Sequence, residues 1–192
     1  TTGIANTAMG NYALGLCTTG ANNVGVGPQA AGNLTTAGSV TAVGAFCGQY
    51  TYGSQGTFLG EYAGRGVITV STGAFNTALG RSAMYSFTTG GSNTAVGAHA
   101  LYDITTGASN VAVGYLSGVT ETVANTNVSG SQNVWVGQES GSSTATPLSN
   151  SVAIGYRAKN SASNQVVLGN TSTTDNIVYG KLSVSGNRVN VS

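Results

Sequence analysis

A glycine returns at near-constant spacing along this chain, and that regularity restricts the fold more than any other feature. It stands in stretches such as NTALG, NTAVG and NVAVG, at Gly10, Gly27, Gly44, Gly60, Gly80, Gly97, Gly114, Gly137, Gly155, Gly169 and Gly180. The intervals are 17, 17, 16, 20, 17, 17, 23, 18, 14 and 11 residues. A unit this short cannot bury an apolar face alone, so each copy must lean on the next. The reading is one repeat domain over residues 1–192, built of about eleven stacked coils.

Around each glycine the residue types alternate. The residue before it is large and apolar, from Met9, Val26 and Val43 to Ile154 and Leu168, with Tyr179 in the last copy. Two positions earlier stands a β-branched residue in every copy, from Thr7 and Val24 to Val166 and Ile177. Between them sits mostly Ala or Gly, as at Ala8, Gly25, Ala42, Ala78, Ala95, Ala112 and Ala153. A period of two marks a strand. Both faces are almost free of charge, so both are expected to be buried. The bulky face suits the lumen of a coil, and the small face a place where something packs closely.

Three residues after each glycine comes another small residue, such as Ala13, Ala30, Cys47 and Ala63. An apolar residue follows at Cys17, Leu34, Val67, Phe87 and Ile104, and Thr-Thr-Gly closes the units at 18–20, 88–90 and 105–107. Each unit therefore reads as strand, turn, strand, turn. The fold class is all-β, a parallel β-solenoid about 50 Å long at ~4.8 Å per coil. Asn6, Asn23, Asn76, Asn93, Asn110 and Asn133 precede their strands, where amide can stack on amide.

Composition narrows the function classes. Charged residues make up 6% of the chain, against ~25% typically, and the formal net charge is +1. That balance gives no reason to expect nucleic-acid binding, and no apolar run is long enough for membrane insertion. The chain begins at Thr1 without Met, which suits a processed product or an excerpt.

The stretch NTALGRSAMYSFTTGGSNTAVGAHALYDITTG, from Asn76 to Gly107, resembles the repeats of phage and phage-like tail fibres. NSVAIGYRAKNSASNQVVLGN, from Asn150 to Asn170, resembles the head repeats of trimeric autotransporter adhesins. The resemblance covers nearly the whole chain, with shorter adhesin-head-like repeats and a C-terminal cap over 150–192. It implies a left-handed β-roll in which three chains pack around a threefold axis, their small-residue faces inward. On that arrangement Phe58 and Trp135, which replace the small residue of their strands, would meet their copies at the axis. The run after Val166 resembles the lead into a self-cleaving intramolecular chaperone, and an end at Ser192 suits the cleaved product.

The residues offer little for catalysis. Glu61, Asp103, Glu121, Glu139 and Asp175 are scattered, with no two in the same slot of adjacent coils, so no glycosidase-like carboxylate pair is expected. His99 stands two residues after its glycine, in a slot that also accepts Tyr12, Gln29, Phe46 and Arg157, and reads as a surface residue. Cys17 and Cys47 occupy different slots nearly two coils apart, which argues against a disulfide. No enzyme activity, cofactor or metal site is expected. Irregular spacing marks loops instead, and solenoid loops often bind. The candidate receptor-binding residues are Tyr50, Tyr52, Tyr62, Arg65, Glu121, Asn125, Asn127 and Glu139. Tyr rings among Asn, Gln and Ser suit glycan contacts.

The expected function is that of a homotrimeric fibre segment of a phage tail or phage-like injection machine, placed on the virion or otherwise extracellular. It would act as a stiff spacer that contacts a cell-surface glycan or protein receptor and adjoins neighbouring fibre or baseplate proteins. One alternative is the head of a trimeric adhesin on a bacterial cell surface. Another is a monomeric ice-binding solenoid displaying Thr pairs at Thr18, Thr35, Thr88 and Thr105.

Overall fold

The structure, a computed structural model, describes residues 2–68, 70–119, 129–144 and 146–176. Its strands are β1 (Thr7–Met9), β2 (Val24–Val26), β3 (Thr41–Val43), β4 (Thr57–Leu59), β5 (Thr77–Leu79), β6 (Thr94–Val96), β7 (Val111–Val113), β8 (Val134–Val136), β9 (Gly141–Ser142), β10 (Val152–Ile154), β11 (Lys159–Asn160) and β12 (Val166–Leu168). All but β9 and β11 form one ten-stranded parallel sheet whose spatial order follows the chain. Register is kept residue for residue: Thr94 lies opposite Val111, Ala95 opposite Ala112, Val96 opposite Val113. The described chain is thus an all-β parallel solenoid of about nine turns, rising roughly 43 Å. The eleventh expected repeat, at Gly180, lies outside the described residues, as do Glu121, Asn125, Asn127 and the segment 177–192.

The expected second strand is replaced in most coils by a chain of tight turns. Its backbone alternates in handedness: Gly97, His99 and Leu101 have φ of 130°, 57° and 49°. Short bonds such as Ala100 N–H to the Gly97 carbonyl (3.2 Å) alternate with coil-to-coil bonds such as Leu101 N–H to the Ser117 carbonyl (2.9 Å). Every second residue is therefore tied to the next coil, which holds non-glycine residues in the otherwise sparsely occupied left-handed region. Among the described residues, strand pairing on this limb is confined to β9 with β11 and a Thr51–Ser71 bridge.

The two faces of the main sheet are the reverse of the expectation. The small residues point into the lumen: Ala42, Ala78, Ala95, Ala112 and Ala153 are fully buried. So are Phe58 and Trp135, which plug the lumen of this chain and do not stand at an outer face. The bulky residues point outward; Met9, Leu59, Ile154 and Leu168 are exposed. The reason is the opposite wall. In most coils the turn limb supplies the bulk (Leu14, Leu34, Met84, Phe87, Leu101, Ile104), which leaves room only for alanine on the strand. Where that limb carries Gly48, Gly64 and Gly118, bulk moves to the strand. A Cβ on Gly64 or Gly56 would run into the Phe58 ring, and one on Gly118 would lie 3.0 Å from Trp135.

The asparagines form the ladder expected of them. The Asn93 N–H and Nδ2 both donate to Asn76 Oδ1, at 2.9 and 3.2 Å, and Nδ2 also donates to the Gly107 carbonyl at 2.8 Å. Asn110 repeats these bonds onto Asn93 Oδ1, and Asn133 onto Asn110 Oδ1. The ladder breaks at Val40 and Gly56, beside the coil where Phe58 takes the space an amide would need. The rungs Asn23, Asn76, Asn93, Asn110 and Asn133 are buried, so an unpaired group there cannot turn to water. Asn93→Ala is expected to cost about 2–3 kcal/mol. The exposed end rung, Asn6→Ala, should cost less than about 1 kcal/mol, and urea unfolding of both variants checks the contrast.

Candidate functional site: an aromatic strip along the turn limb

Stacking brings together side chains that the sequence scatters over seventy residues. The residues two after the glycine, Phe46 and Tyr62, stack with ring centroids 5.1 Å apart and planes 11° from parallel. Farther round the same limb, Tyr85 and Tyr102 stack at 5.0 Å and 6°. These separations match the ~4.8 Å rise of a parallel stack, so identical slots in successive coils place ring over ring. Tyr62 meets Tyr85 edge-on at 6.0 Å, which joins the two columns. His99 extends the strip, 5.2 Å from Tyr102 and 6.3 Å from Tyr115.

Arg65 occupies a rung of the second column. Its guanidinium carbon lies 4.9 Å from the Tyr50 ring centre and 5.0 Å from that of Tyr85. Its Nε donates to Gln49 Oε1 at 3.3 Å, and the buried Gln49 donates in turn to Gln29 Oε1. The column thus runs Tyr50, Arg65, Tyr85, Tyr102 over four successive coils. The ring faces are spent on one another, and what remains for solvent is a line of ring edges, phenol hydroxyls and amides.

Burial and the neighbouring Tyr85 and Asp103 push the Tyr102 phenol above its ordinary range, against the pull of Arg65 and Arg81. Burial likewise raises the Asp103 carboxyl. Glu61, beside the strip, accepts from Arg81 of the next coil at 3.3 Å. Burial pushes the Cys47 thiol up to about 12, which leaves it a small apolar filler with no thiolate chemistry at neutral pH. Among the described residues no three His, Cys, Asp or Glu gather as a metal site, and no helix is long and apolar enough to cross a membrane.

Three of the sequence-predicted residues, Tyr50, Tyr62 and Arg65, come together in this strip. Tyr52 lies near by in the chain, half-buried, with its N–H on the Ser71 carbonyl (2.8 Å) and no ring contact among the described residues. Glu139 sits several coils away. Its Oε2 accepts from Arg157 Nε at 2.6 Å, and bonds from Gln138 and Arg157 hold its carboxyl below the usual range. Sequence reasoning missed Phe46, Tyr85, Tyr102 and Tyr115. Their signal was present: Phe46 and Tyr62 share one slot after the glycine, and Tyr85 and Tyr102 share another. No family model, curated protein or solved structure matches the chain.

Proposed function

We propose that this chain is one strand of a three-chain fibre segment, of the kind found in phage tails and phage-like injection machines. It serves as a rigid spacer whose turn limb contacts a receptor on the cell surface. One observation carries the reading: the outward face of the main sheet is uncharged, with one rank half Thr and half Val and the other wholly apolar, and no other described part of the chain covers it. It consists of two ranks, Thr7 to Val166 and Met9 to Leu168, with no charged residue in either. Within the stack, Leu59 is 48% exposed and Val113 37%.

Ten rungs of three residues span about 400 Å², the size of the largest exposed patch on a typical monomer, which is often a functional one. Shared among three pairwise contacts, such faces lie at the small end of interface sizes. A closed threefold arrangement covers all three at once, and with them the Thr and Val rims. The aromatic strip lies on the other limb of the coil and stays open in that arrangement. Left-handed coiling and a threefold axis belong to this proposal, as does the absence of catalysis.

The 14-residue step from β10 to β12 suits the adhesin-head alternative, which shares the architecture and differs in being anchored to a cell. The ice-binding reading loses part of its support. Thr18 and Thr88 turn their hydroxyls to the next coil, onto the Thr35 and Thr105 carbonyls at 3.2 and 3.1 Å.

A charge in the outward rank tests the interface. Val96→Asp would bury an uncompensated carboxylate in each of three chains, at about 3 kcal/mol or more per chain. The expected result is loss of the three-chain mass on a sizing column. Ser92→Asp, on an exposed corner, should leave it unchanged. An unaltered assembly with Val96→Asp would contradict the interface.

A further inference from the structure

Of the three arginines among the described residues, two are paired one coil away: Arg81 with Glu61 and Arg157 with Glu139. Arg157 also lies over the Tyr156 ring at 5.3 Å, whereas Arg65 has two tyrosine rings and no acid. No described carboxylate lies within ion-pair distance of it, and its terminal amino groups make no hydrogen bond to the described residues. It is nonetheless held on several sides. Tyr50 and Tyr85 cover the two faces of the guanidinium, and Gln49 holds its Nε.

A guanidinium gripped by its faces and its Nε presents its remaining edge as a planar fork. That edge matches the two oxygens of a carboxylate, and the side-chain entropy has already been spent in the free protein. Around it run the phenols of Tyr62, Tyr85 and Tyr102, which donate and accept like sugar hydroxyls. They recur along the rod at ~4.8 Å per coil, a step close to the length of one sugar unit.

We propose that Arg65 is a carboxylate anchor and that the strip takes an extended acidic oligosaccharide, its uronic- or sialic-type sugars running along the rod. The inference deepens the receptor-contacting part of the fibre reading and rests on it for its biological sense, although the site is tested separately. Phosphate would share the oxyanion chemistry; a planar two-oxygen group favours the carboxylate.

The test is calorimetric titration of the whole chain with oligogalacturonate, with the methyl ester of the same oligomer, and with a glycerol-phosphate polymer. The acid form should bind at least about tenfold more tightly than the ester. Arg65→Gln should lose at least about tenfold in affinity for the acid form, and Arg65→Lys should recover only part, since a point charge lacks the fork. The molar mass of both variants should be unchanged. Equal binding of acid and ester, indifference to Arg65→Gln, tighter Arg65-dependent binding of the phosphate polymer, or no binding at all would overturn the inference. A three-chain rod that binds none of these would overturn the inference and spare the fibre. A single-chain mass with Arg65-dependent binding of the acid form would do the reverse.

Discussion

Gly97→Ala is expected to destabilise the rod by about 3–5 kcal/mol, a large loss for one methyl group. Two independent effects combine. Nine successive repeat glycines, Gly10 to Gly155, have φ between 123° and 134°, a region that L side chains rarely adopt. The coils also meet backbone to backbone there: a Cβ on Gly97 would stand 2.6 Å from the Gly114 carbonyl oxygen and 2.7 Å from its carbon. Neither coil can yield: the Gly114 N–H donates to the Val96 carbonyl at 2.8 Å, and the Gly97 N–H to the Leu79 carbonyl at 2.8 Å. Gly15→Ala is the control. Gly15 is exposed and has no positive φ, and a Cβ there would press the Tyr12 carbonyl at 3.1 Å, far less than the overlap at Gly97, so a smaller loss of about 1–2 kcal/mol is expected. Urea unfolding followed by circular dichroism reads both. Equal losses at the two positions would show that close coil contact does not explain the repeat.

Trp135→Ala should cost a similar amount, about 3–5 kcal/mol, for a different reason. The indole is fully buried in the lumen, opposite the space opened by Gly118, and its Nε1 donates to Asn160 Oδ1 at 3.0 Å. Truncation leaves a cavity walled by backbone that is fixed to the coils above and below, so collapse is limited. It also strips Asn160 Oδ1 of its donor. Trp135→Phe keeps most of the volume and should cost about 1–2 kcal/mol, largely the lost hydrogen bond. Thermal unfolding separates the two variants. A mild effect of Trp135→Ala would mean that the ring faces outward, as the alternation of bulky and small residues alone suggests.

Which face turns inward is the point at which the sequence stops being legible. Each of the ten strands of the main sheet falls where the glycine placed it, and the asparagine ladder follows from the spacing of Asn76, Asn93, Asn110 and Asn133. Alternation reveals two faces but carries no label for inside. The label comes from the opposite wall, where Met84, Phe87, Leu101 and Ile104 already fill the lumen and leave room for alanine alone. Gly48, Gly64 and Gly118 hold the complementary clue, since bulk returns to the strand as Phe58 and Trp135 beside them.

The turn limb differs from the expected strand because its left-handed residues are ordinary ones. Tyr62, Ser82, His99 and Leu101 adopt positive φ under coil-to-coil bonding, which leaves no trace in residue type. The strip is half legible. Tyr50, Tyr62 and Arg65 stand out as a cluster in an irregular repeat, whereas Tyr85 and Tyr102 sit in regular repeats and gain meaning only from their register.

Light scattering of the purified chain on a sizing column decides most directly whether the outward Thr/Val sheet face is an interface between copies of this chain. The expected mass is three times the 19.0 kDa of one chain. Elution as a stable, folded single chain would refute the interface, because the apolar face would then stand open in water with nothing to cover it.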